Sequence, residues 1–165
     1  MRIQGFGPGE IIERLEKIIQ TYDTYLNKEK VSNILPSGYF TLSDAVFGRV
    51  MLLCKIGICP DDKAEIFFQN SLEKGQRLFS NFARQHKSSW QSRDGVTKFA
   101  GAIFIPQLIL SFSGLPELVD EAIMLMLAIN LGWVGKSWGE NNYRDGIANI
   151  SGNNIFYDLK SLYRH

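Results

Sequence analysis

Apolar residues recur through the first thirty positions with the spacing of one helical stripe. Ile11, Ile12, Leu15, Ile18, Ile19, Tyr22, Tyr25 and Leu26 repeat at i, i+1, i+4, i+7, i+8. Glu10, Glu13, Arg14, Lys17, Gln20 and Asp23 fill the other face, so the pattern predicts a helix over 9–27. Residues 28–40 read as a loop. Thr41 with Asp44 three positions on resembles a capping box. Leu42, Ala45, Val46, Val50, Leu53 and Cys54 then run to Gly57, which predicts a second, largely buried helix. Pro60, followed by Asp61 and Asp62, opens a third, with a five-turn stripe over 61–85 on which Gly75 permits close approach of another helix.

The next stretch is less regular. Residues 86–95 are polar apart from Trp90. Residues 96–112 suit a helix or a buried strand, because short apolar runs have no readable period. The helical surroundings favour two short helical pieces meeting at Pro106. A clearer helix runs from Pro116 to about Leu131 and stops at Gly132. The tail turns rich in glycine and asparagine before a final helix from about Asn154, with Ile155, Phe156, Leu159, Leu162 and Tyr163 on one face.

Two nearly charge-free runs, Phe99–Phe112 and Ala122–Val134, flank an acidic hinge and mark the centre of the chain. Together the segments predict an all-α fold: a single domain over 1–165, an irregular bundle of about six helices with a Gly/Asn-rich loop before the C-terminal helix. The core expected from this reading is Ile12, Leu15, Ile19, Val46, Val50, Leu53, Phe67, Phe68, Leu72, Phe79, Phe82, Phe104, Ile123 and Leu127.

Composition agrees with one globular unit. The 165 residues are 45% hydrophobic and 21% charged, with eleven phenylalanines and a net charge of +1. Neither apolar run reaches the length of a bilayer span, and the N-terminus lacks a signal-peptide core, so a soluble cytoplasmic protein without membrane insertion is expected. Charge is spread evenly. The local excess of Arg84, Lys87, Arg93 and Lys98 reads as a solvated loop, which argues against nucleic acid as the partner. Cys54 and Cys59 stand alone at C-x4-C spacing with no second ligand pair, so no metal is implied; they read as reduced thiols.

Candidate chemistry is sparse. The opening Gly5-Phe6-Gly7-Pro8-Gly9 lacks the spacing of a phosphate loop. His86 is the one credible imidazole, and no nucleophile motif accompanies it, so no catalytic residue and no cofactor is assigned. Asp120 and Glu121 beside the apolar centre would be acid–base candidates if buried; their place near a helix start favours solvated carboxylates instead. The strongest cluster lies in the tail: Trp133, Lys136, Trp138, Glu140, Tyr143, Arg144 and Asp145, residue types that dominate protein interfaces. These residues are therefore the expected partner-binding site.

The expected function is a non-catalytic interaction module that binds and regulates or neutralises another protein, as a bacterial toxin-immunity protein does. The alternative is a small enzyme or ligand-binding protein with a site between the central helices and the 133–145 loop. RNA binding through Arg84, Lys87, Trp90 and Arg93 is a weaker third.

Overall fold

A computed structural model describes residues 3–28, 36–134 and 140–163, and their side chains except those of 26–28 and 140–145. Along the chain run α1 (Pro8–Lys28), β1 (Gly38–Asp44), β2 (Val50–Ile56), α2 (Asp61–Ser80), β3 (Ala102–Ile105), β4 (Leu108–Ser113), α3 (Glu117–Asn130), α4 (Glu140–Ser151) and α5 (Asn154–Leu162). Two short 3-10 turns, Phe82–Arg84 and Ser89–Ser92, lie between α2 and β3. The four strands form one antiparallel sheet in the order β2-β1-β4-β3.

The two faces of the sheet divide the strand residues by parity. Phe40, Leu42, Ile103, Ile105, Leu108, Leu110 and Phe112 point into the main core with α1, α3 and α5. The alternate residues face α2: Thr41 shares a hydrogen bond with Ser71, Tyr39 meets Phe68 edge-on, and Ile109 and Ala102 pack with Leu78. Because both faces are covered, β1 and β4 are apolar or buried at nearly every position, as expected of strands inside a layered fold.

The structure therefore corrects the all-α, helical-bundle reading: the fold is mixed α/β, with an antiparallel sheet between helical layers. The segment read as a second helix is the β1–β2 hairpin. Thr41 sits in mid-strand, and Asp44 organises the hairpin turn rather than a helix start. Its carboxylate accepts the N–H groups of Val46, Phe47 and Arg49. Pro106 and Gln107 form the two-residue turn of the β3–β4 hairpin, Gln107 at φ +66°. Part of the tail expected as a loop is α4.

The core list is corrected with the fold. Leu15, Ile19, Ile123 and Leu127 are buried, and Ile12, Phe67, Phe68, Leu72, Phe79 and Phe104 are half-buried. Val46, Val50, Leu53 and Phe82 are 66, 43, 36 and 55% exposed. Val46 lies in a hairpin turn and Val50 and Leu53 on an edge strand, while Phe82 follows the end of α2; none has a layer above it. The helices α1, α2, α3 and α5 lie where their stripes place them. No described helix is long and apolar enough to cross a membrane.

Candidate functional site

The chemistry of the molecule gathers where α2 and α3 meet around the end of β3. Lys74 on α2 and Asp120 on α3 form an ion pair at 2.8 Å, with side chains 2 and 1% exposed. The pair exists because the β3–β4 ladder opens there. Phe112 donates its N–H to the Gly101 carbonyl, and the Phe112 carbonyl accepts from Lys74 Nζ at 2.9 Å in place of a strand N–H. Gly101 has φ +121°, and a Cβ there would stand 2.6 Å from Asp120 Cβ and 2.9 Å from Lys74 Nζ. The other Asp120 oxygen accepts the Leu115 N–H. Burial pushes the Asp120 carboxyl up to about 7, against the opposing pull of Lys74.

Glu121 is fully buried and has a different shell. It accepts from the hydroxyls of Ser88 and Ser151 and from Asn153 Nδ2. Ser88 caps the Ser89–Ser92 turn, Ser151 ends α4, and Asn153 caps α5, so one carboxylate ties three segments to α3. Burial raises its pKa, and the three donors oppose that rise. Both acidic residues, expected as solvated, are thus inside the protein. Their local sequence is that of a helix start, but the 88–101 segment and α4 lie over it.

Arg77 performs a similar task on α2. Its guanidinium binds Glu73 and reaches Ser89 O, Ser92 Oγ and Phe99 O, holding the 88–99 segment against the helix. Arg93 stacks 3.5 Å from the Trp90 ring centre and pairs with Glu117 at 3.2 Å. The cationic stretch considered for RNA is to that extent folded back on the protein.

A cleft of about 420 Å³ opens above the Lys74–Asp120 pair. Phe67, Phe99, Leu115 and Pro116 supply apolar wall, and Asn70 and Glu117 are also at its lining. Its charged groups are engaged internally: Lys74 with Asp120, Glu117 with Arg93 and the Ala100 N–H. Among the described residues no three His, Cys, Asp or Glu side chains converge to hold a metal ion. Cys54, on β2, and Cys59, after it, are free thiols, and burial pushes Cys54 up to about 11.

Of the tail cluster, Trp133 alone has a described side chain. Trp133 is 8% exposed, belongs to the main core and meets Phe6 edge-on. Its Nε1 is buried without a hydrogen-bond partner among the described residues. Lys136 and Trp138 lie outside the described residues. Glu140, Tyr143, Arg144 and Asp145 fall on α4, with side chains outside those described.

Sequence reasoning missed a surface at the opposite end of α2. The tips of both hairpins meet there through the Ala45 N–H and the Gln107 carbonyl at 2.9 Å. Phe79 covers Gly48, where a Cβ would lie 2.8 Å from its ring. Phe82 meets Phe104 at 5.2 Å between ring centres. Phe47 is 69% exposed under the Arg49 guanidinium. Four phenylalanines and Val46 therefore form one partly exposed patch with the Arg49 guanidinium over Phe47. An apolar side chain reads as core in any one-dimensional pattern, so no signal in the sequence marked these as surface. No protein-family model matches the chain, and no curated protein or solved structure matches it either.

Proposed function

We propose that this chain is a non-catalytic protein-binding module of the cytoplasm that regulates or neutralises another protein, and that it docks through the aromatic patch at the hairpin tips. The observation that carries the reading is the exposure of Phe47, Phe82 and Val46, each more than half open to solvent beside Phe79 and Phe104. Large aromatic side chains exposed together are the usual centre of an interface. The Asp44 carboxylate pre-organises the turn that presents Phe47, which limits the ordering cost on binding. Arg49 favours a partner whose apolar side chains are flanked by a carboxylate.

The test is affinity capture from cells that express the chain naturally, with wild type compared to Phe82→Asp. The expected result is one stoichiometric partner held by the wild type and lost by a variant with an unchanged melting temperature. Equal capture by both proteins refutes the patch.

The cleft over Lys74 and Asp120 favours a second reading, a small-ligand site. It ranks lower because its charged groups already have partners within the protein. A ligand that raises the melting temperature of wild type but not of an Asn70→Leu variant would reverse that ranking.

A further inference from the structure

We infer that residues 86–100 form a strap that unlatches as one unit while the sheet stays folded, with Arg77 as its latch, and that this strap is a removable guard on the edge of β3. β3 ends the sheet on the side away from β2. Its outward N–H groups are those of Ala102 and Phe104, and both donate to the strap. Ala102 reaches Ser89 Oγ at 2.9 Å, and Phe104 reaches the Lys87 carbonyl at 2.8 Å. Ser88 forms an isolated bridge with Ile103 between them. The strap therefore begins where a fifth strand would lie. Covering an edge in this way keeps it from pairing with other chains.

Three features make the strap separable. Its apolar side chains, Trp90, Val96, Phe99 and Ala100, belong to neither hydrophobic core. Polar side chains of α2 and α3 hold it instead. Arg77 donates to Ser89 O, Ser92 Oγ and Phe99 O, and so grips both ends. Glu117 accepts the Ala100 N–H and pairs with Arg93, and Glu121 accepts from the Ser88 hydroxyl. The strap is also organised within itself: Ser88 and Gln91 form a capping box, and Asp94 accepts the N–H groups of Val96, Thr97 and Lys98. Left-handed backbone bounds it, Gln85 at φ +57° and Gly101 at φ +121°. Gly101 keeps its carbonyl on the Phe112 N–H, so rotation about its φ moves the strap and leaves the β3–β4 ladder closed. Segments with few buried apolar contacts open at free energies below that of global unfolding. Opening frees the two β3 donors and takes Phe99 out of the wall of the cleft over Lys74 and Asp120.

The test is residue-resolved amide hydrogen exchange of the full chain over a range of low urea concentrations. Ala102 and Phe104 donate to the strap, whereas Ile103 and Leu110 pair with each other inside the same hairpin. Ala102 and Phe104 are expected to exchange together, about tenfold or more faster than Ile103 and Leu110, with a weaker dependence on urea because strap opening exposes little surface. Arg77→Met should speed tryptic cleavage after Arg93 and Lys98 about tenfold or more at unchanged far-UV circular dichroism, since one hydrogen bond to a charged group is worth that factor in the opening equilibrium. Ser92→Ala, which removes one latch bond and no charge, should act in the same direction by a smaller factor. Exchange of all four amides at one rate with one urea dependence shows that the strap melts only with the whole molecule, and overturns the proposal. Cleavage of both variants no faster than wild type overturns Arg77 as the latch.

Discussion

Replacing Lys74 with methionine tests the account of the buried ion pair. Methionine keeps the length and apolar character of the stem and removes the ammonium. Two charge-assisted hydrogen bonds disappear, to Asp120 Oδ2 at 2.8 Å and to the Phe112 carbonyl at 2.9 Å. Asp120 retains the Leu115 N–H at 3.1 Å and no cation. Breaking one side of a buried pair costs about 3–5 kcal/mol, because Asp120 must then either stay charged and desolvated or take up a proton without its partner. Urea unfolding followed by tryptophan fluorescence reads that loss as a midpoint shift of about 2 M at an m-value of about 2 kcal/mol/M.

The pH dependence gives the sharper test. Asp120 already titrates at about 7 in the folded protein, above its unfolded value near 4. The folded state thus holds the proton more tightly, and this group's contribution to stability falls as pH rises between those values. Without Lys74 the folded value climbs further. The deficit of the variant should therefore be smaller at pH 5, where the carboxyl is neutral, than at pH 8. The double variant Lys74→Met with Asp120→Leu should recover most of the loss, since an apolar pair has no charge to desolvate. A deficit below about 1 kcal/mol, or one equal at both pH values, refutes the reasoning.

Two further substitutions probe the same region in opposite directions. Gly101→Ala should destabilise by about 2–4 kcal/mol in the same urea assay, because its Cβ collides with Asp120 and Lys74 at a backbone angle that disfavours side chains. Gly75→Ala should stabilise by about 0.5–1 kcal/mol, since a Cβ there meets Ser111 and Ile109 at the ordinary contact distances of 3.8 and 3.9 Å and the helix gains propensity. A destabilised Gly75→Ala would show that α2 lies closer to β4 than these distances allow.

The sequence by itself determined the helices that keep one face in water. In α1 and α2 the polar face leaves the stripe visible, and Pro60, Pro116 and Asn153 mark three of the starts. What it concealed were the strands. Phe40 and Thr41, or Ile109 and Leu110, are neighbours that bury on opposite faces of the sheet, so the period of two that identifies a strand is erased. Gly57 and Pro106, read as the end and the kink of helices, serve as a loop residue and a hairpin turn because of what lies across from them. The candidate site was equally a matter of tertiary structure. Lys74 stands one position from the stripe of α2, and nothing local shows that its ammonium reaches a gap in a ladder formed by residues 101 and 112. Asp120 is buried against Lys74, 46 positions away, and Glu121 by segments 30 to 33 positions away, and Phe82 is exposed because no layer covers the end of α2. Burial depends on what the rest of the chain lays over a residue, and the local pattern carries no record of that.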